Sequence, residues 1–220
     1  VPNPRYLVFT AIKAESRAIA RAFGVRPPWG ARPAELPGGR VPIDLYTIGV
    51  GAVRMPDLSG QAVAGIVMAG LAGALDPRLK VGDVVVDQSS TWRANRPNHP
   101  RVWFHGVDEV VATPERKSEL FGQTGASVID METAAAKQAA RSYSIPFLGI
   151  RAVSDTAAES IDPAVLQFVD AYGGVRVGAL IGGVARRPSL IKELRRLARS
   201  SRVALDALGA AVRAILVPPG

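Results

Sequence analysis

The chain has 220 residues, 48% of them apolar, enough for one α/β domain with a full core. It has no cysteine, which excludes a disulfide framework, a cysteine nucleophile and thiolate metal sites, and fits a reducing, cytoplasmic setting. A net charge of +8 points to an acidic partner such as phosphate, nucleic acid or an anionic membrane surface. The two histidines, His99 and His105, lie in a Pro/Arg-rich stretch and read as loop residues, so neither a His-based metal site nor a Ser-His-Asp triad is expected. The first apolar run, Tyr6 to Ile12, is too short for a signal peptide. No run reaches the roughly 20 apolar residues of a membrane span.

In chain order, Tyr6 to Ile12 reads as a first strand and Glu15 to Phe23 as a helix ended by Gly24 and the Pro27–Pro28 pair. A Pro/Gly-rich loop runs to Arg40. Val41 to Val50 is a second strand closing in Gly49-Val-Gly51, and Ala64 to Ala69 a third, entering a glycine turn from Gly70 to Gly73. Val81 to Asp87 is a fourth strand, Val107 to Ala112 a fifth, and Ala126 to Ile129 a short sixth. Met131 to Tyr143 has helical composition, Ile145 to Val153 is a buried strand, and residues 154 to 163 form a polar loop. Helix returns near Pro163 to Ala171, and Pro188 to Leu216 is one long helix or two. Apolar strands alternating with helices predict a single α/β domain with a central mixed, mostly parallel twisted sheet flanked by helices. Residues 187–217 form its basic C-terminal helical segment.

Four features carry chemistry. In Ile129-Asp-Met-Glu132, a strand ends and a helix begins. Glu132 is a first-turn acid suited to the helix dipole, and its two acceptor oxygens also suit a vicinal sugar diol. In Ile150-Arg-Ala-Val-Ser-Asp155, Arg151 sits inside an apolar strand and needs a partner or ligand. Ser154 and Asp155 fall just past the strand's C-terminal end, the ligand-binding edge of open α/β sheets; Asp155 also suits an Asx turn. Glu15 follows the first strand, either as a plain helix acid or as a third carboxylate in the same cleft. The glycine turns, with Gly51 and Gly70, allow close backbone approach to a ligand. Arg54 stands where a dinucleotide fingerprint would place its third glycine, which argues against NAD.

Together these motifs resemble the superfamily of purine nucleoside phosphorylases and methylthioadenosine/S-adenosylhomocysteine nucleosidases, in the family's order, over residues 6 to 165. The wording Leu71-Ala-Gly-Ala-Leu-Asp-Pro77, the run Val111 to Lys117 leading to Thr124-Gly-Ala126, and the tail Ala185 to Leu190 are similar to its hopanoid-associated branch. The resemblance implies cleavage of the N-glycosidic bond of a purine nucleoside, by hydrolysis or phosphorolysis. Adenosylhopane, a lipid-linked adenosine, is the branch's implied substrate. It also implies a homodimer, no cofactor, and phosphate only as a candidate co-substrate. Asp155 would protonate the departing base. Glu132 and Met131 would hold the ribose, and Glu15 would be the base for a water nucleophile. Arg151, Ser154, Gly51, Gly70 and Leu71 would complete the substrate site, with Arg54 and Arg151 the anchors if phosphate attacks.

Two departures from the family stand out. Leu71 replaces a serine that places water in the nucleosidases. Met68 and Leu71 replace an arginine and a serine that hold phosphate in bacterial phosphorylases. The stretch from Ala52 to Ala69 is also about one helical turn short, which leaves the usual helix between the second and third strands an open question. The charge of Glu15 would repel phosphate, which favours water as the nucleophile. Arg186 to Arg202 carries seven basic residues and one acid, which reads as the solvated face of a core-packed helix or as a membrane-surface helix reaching a lipid substrate. The rival classes are a non-catalytic nucleoside- or lipid-binding protein on the same fold, and a nucleic-acid binder. The latter lacks any recognisable module.

Overall fold

The computed structural model describes residues 3–28, 30, 32–92, 99–166, 187 and 190–217. The apolar N-terminal run forms β1 (Arg5–Thr10), and Lys13–Ala22 forms α1. The expected loop contains a short strand, β2 (Ala34–Leu36), before β3 (Ile43–Thr47). A 3₁₀ turn at Val50–Ala52 follows, with Gly49 and Gly51 at positive φ (83° and 68°). No α-helix lies between Thr47 and Val63, in line with the short spacing read from the sequence.

The longest strand, β4 (Val63–Ala74), corrects one expectation. Gly70 to Gly73 is not a turn; it continues the strand, because β9 (Phe147–Asp155) pairs with β4 in parallel from Ile66 through Gly73. Then come β5 (Val84–Asp87), β6 (Arg101–Val102) and β7 (Phe104–Gly106). The strand expected at Val107 to Ala112 is absent. Backbone pairing stops at Val107, whose N–H reaches the Asp130 carbonyl at 2.9 Å, and Val111 is buried by side-chain packing with Leu120 and Ile129. An unanticipated helix, α2 (Pro114–Thr124), follows instead. Its signals are local: Thr113 accepts from the Arg116 N–H, Pro114 opens the first turn, and Gly125 closes the helix at φ 64°.

The remaining elements are β8 (Val128–Asp130), α3 (Thr133–Ser142), α4 (Pro163–Leu166) and α5 (Leu190–Leu216). The reading of helix beyond Leu166 lies outside the described residues. Among the described residues, nine strands form one mixed sheet in the order β2-β3-β1-β4-β9-β5-β6, with β8 pairing β4 and β7. Side chains alternate across it. Val8, Val67 and Ala69 face a core shared with Ile19 of α1 and Leu208 and Val212 of α5; Leu7, Phe9 and Met68 face Ala136 and Ala140 of α3.

The tail is therefore one helix with two characters. Its second half is core, and Gly209 lets it cross α1 closely: a Cβ there would stand 2.8 Å from the Ala18 carbonyl oxygen. In the basic first half, Leu190 is buried against Val165, and Leu194 and Leu197 pack against them half-buried.

Candidate active site

The site arises from a gap in strand pairing. Along one edge of β4, β1 pairs as far as Met68 and β8 begins only at Gly73. Between them the main chain of β4 is open on that side. Glu15, in the first turn of α1, fills the opening. Its Oε1 accepts from the Leu71 N–H at 2.8 Å, and its Oε2 from the Ala11 and Ile12 N–H groups at 2.9 and 3.0 Å. Gly70 is glycine for lack of space: a Cβ there would stand 2.9 Å from both Glu15 Oε1 and Arg151 Nη1. Burial pushes the Glu15 carboxyl up to about 7, against the pull of its amide donors and of Arg151.

Glu132 lies across the gap as the N-cap residue of α3, one position before the first helical turn where the sequence placed it. Its Oε1 accepts from the Gly51 N–H at 3.3 Å, so Gly51 supports the acid. Burial also raises Glu132, with Asp130 adding to the effect and Arg151 opposing it. Arg151 is fully buried. It donates to Asp130 at 3.0 Å and to the Thr133 hydroxyl at 2.9 Å, and lies 3.7 Å from Glu132. Burial disfavours the Asp130 carboxylate, but the charge of Arg151 and the Thr133 bonds outweigh it and hold Asp130 below its usual range. Arg151 lies beside Glu15, but its partner is Asp130. It is a structural cation beneath the site and does not line the cavity.

Ser154 and Asp155 are the last residues of β9, and not the start of a loop. The Ser154 hydroxyl donates to Asp155 Oδ1 at 2.8 Å, and Asp155 Oδ2 pairs with Lys117 of α2 at 2.6 Å.

Glu15, Met131, Glu132, Ser154, Asp155 and Leu71 all line one cavity of about 340 Å³. Among its described lining residues there is no Lys or Arg, whereas Glu15, Glu109, Asp130, Glu132 and Asp155 are all acids. Leu71 contributes its N–H, since its side chain packs toward the α1–α5 core. Arg54 is elsewhere. The 3₁₀ turn carries it to a second cavity of about 470 Å³, shared with Lys13, Ser16, Arg17 and Thr47. Among the described residues, no group of three or more His, Asp or Glu is placed to hold a metal ion.

The family model of the phosphorylase superfamily matches residues 88–174, which hold Glu132, Arg151 and Asp155. No curated protein matches the sequence. Among solved structures, the chain is similar to the Helicobacter pylori 5′-methylthioadenosine/S-adenosylhomocysteine nucleosidase, with 15% identity, TM-score 0.67 and 98% of each chain covered. It is similar to the Neisseria meningitidis nucleosidase of the same name at 20% identity, TM-score 0.63 and coverage of 98% and 99%. The H. pylori futalosine hydrolase follows at 14% identity, TM-score 0.62 and coverage of 96% and 97%. The chain carries the fold of these solved nucleosidases. On that fold, the sequence reading had missed two charged residues beside the acids. Asp130 was in view within its motif but was given no partner. Lys117 lies 38 positions from Asp155, and no local pattern links the two.

Proposed function

We propose that this protein cleaves the N-glycosidic bond of an adenine nucleoside by hydrolysis. The observation that carries this reading is the convergence of Glu15, Glu132 and Asp155 on one cavity, each from the end of a different strand or the helix after it. Scission places positive charge on the ribose and negative charge on the base. Asp155, in its protonated form, donates to the leaving purine, a contribution of roughly 10²–10⁴-fold for general acid catalysis. Glu132 accepts from the ribose hydroxyls and favours the cationic sugar, as carboxylates do in glycoside hydrolysis. Glu15, balanced near neutrality, takes the proton of the attacking water.

Among the described residues the wall holds acids and no Lys or Arg, which supports water over phosphate, because Glu15 and Glu132 as carboxylates would repel an entering anion. Arg151 is committed to Asp130, and Arg54 lines another cavity, so neither anchors phosphate in this one. The apolar wall of Val107, Val110, Val111 and Ile161 suits a nucleoside with an apolar 5′ group, such as the hopanoid of adenosylhopane. The solved nucleosidases are of proteins that act on 5′-thio-substituted adenosines by name, a substrate class of the same shape. The test is purified protein with 5′-substituted adenosines, with and without phosphate, following free adenine and the sugar. Free sugar at a phosphate-independent rate is expected; phosphate dependence overturns hydrolysis. No adenine from any of them leaves a non-catalytic binding protein as the reading.

A further inference from the structure

Lys117 is completely buried, and the reaction outlined above gives it no part. Lysine is almost never fully buried without a partner. Its ammonium has three protons and no acceptor, and all three are used: toward Asp155 Oδ2 at 2.6 Å, the Thr156 carbonyl at 2.7 Å and the Glu159 carbonyl at 3.1 Å. Oδ2 is enclosed on another side by Gly73, where a Cβ would stand 3.1 Å away. The other oxygen, Oδ1, meets the Ser154 hydroxyl alone among the described residues, and that hydroxyl has a second acceptor in the Ala72 carbonyl at 3.3 Å.

We propose that Lys117 is a positioning residue that determines which oxygen of Asp155 carries the proton given to the leaving base. An ammonium can donate to Oδ2 but cannot accept from it, so a proton on Oδ2 would face another donor. A proton on Oδ1 meets no such conflict, because Ser154 can turn its own hydrogen to Ala72. The neutral acid is thereby held in one form, with Oδ1–H as the donor. In the reaction that proton moves from Oδ1 to the purine nitrogen as the C–N electron pair leaves with the base. Asp155 returns to a carboxylate, and Lys117 keeps its three protons throughout. The same ammonium ties α2 to the segment after β9. Glu159 continues the link, accepting from the Thr156 N–H at 2.7 Å and pairing with Arg196 of α5 at 2.6 Å.

This inference rests on the proposed nucleosidase reading, and the experiment separates the two. Wild type, Lys117→Met, Asp155→Asn and the double variant are assayed on an adenine nucleoside and on p-nitrophenyl riboside, whose phenolate leaves without a proton. Wild type that releases no adenine removes the nucleosidase reading itself, and this inference with it. With an active wild type, Lys117→Met should lower kcat on the nucleoside by about tenfold or more beyond any loss on the nitrophenyl substrate. Equal losses on both substrates overturn the role. Should the single variant not fold, Asp155→Asn is compared with the double variant, which buries no unpaired ammonium. The two should cleave the nucleoside within about twofold of each other, because Lys117 acts only through the acid. A further tenfold drop in the double variant with its fold intact refutes the proposal.

Discussion

Glu15 balances two opposed forces, and its behaviour with pH follows from which prevails. Three main-chain amides favour the carboxylate; burial favours the acid and wins, placing the group at about 7. If it acts as the base for water, the limb of kcat/KM governed by Glu15 rises as pH increases through about 7. Glu15→Gln should lower kcat by roughly 10²–10⁴-fold and abolish that rise. A stability effect accompanies it. The folded-state value lies above the ordinary 4.5, so the folded chain holds this proton more tightly than the unfolded chain. Its stabilising contribution is complete below about 4.5 and is lost as pH rises through about 7. The difference in thermal stability between wild type and Glu15→Gln should fall across that window, and a flat difference contradicts the assignment. Gly70→Ala tests the same spot sterically. Its methyl would press on Glu15 and Arg151, costing about 1–3 kcal/mol in urea unfolding and lowering activity. At this scale the sequence was informative for Glu15, Glu132 and Asp155, because each stands beside a strand end within a short motif. It was silent on Lys117 and on Arg151's choice of Asp130, since contacts across 38 and 21 positions leave no local pattern.

Among the elements, β9 and α3 are joined through one buried cation. Arg151 on β9 meets Asp130 at the end of β8 and Thr133 at the start of α3. Removing one member of such a group strands the others, so Arg151→Met should destabilise the protein by about 3–5 kcal/mol. Equilibrium denaturation measures this, and a loss below about 1 kcal/mol would show that the acids find other partners. Helix α2 offers a milder test. Thr113→Ala removes its cap at a cost of about 1 kcal/mol. Both ends of α2 were legible, with Thr113-Pro114 before it and Gly125 after, yet the two valines at 110 and 111 drew the reading toward a strand. The glycine run after Ala69 misled in the opposite direction. Glycine usually marks a turn, but here it makes room for side chains packed over a continuing strand, and only the partner strand reveals that.

For the whole molecule, the sheet order and the C-terminal helix decide stability. Strand and helix alternation was enough to indicate the layers, because apolar runs of strand length between helices leave few alternatives. The mixed order was not legible, since the antiparallel pairing of β5 with β9 depends on contacts between distant segments. Helix α5 divides into a packed half and a charged half. Leu208→Ala should cost about 2–5 kcal/mol. Replacing exposed Arg195, Arg199 and Arg202 with Gln should change stability by no more than about 0.5 kcal/mol each. Thermal unfolding distinguishes the halves; equal sensitivity would contradict the division.

The open stretch of β4 bears on how such a protein diverges. The groups that seat Glu15 belong to the polypeptide itself, at positions 11, 12 and 71. Every residue type except proline brings the same N–H. Lineages can therefore exchange the side chain at position 71, serine for leucine included, while Glu15 keeps its seat. Drift at that position would repack the core beside α1 and α5 without unseating the acid.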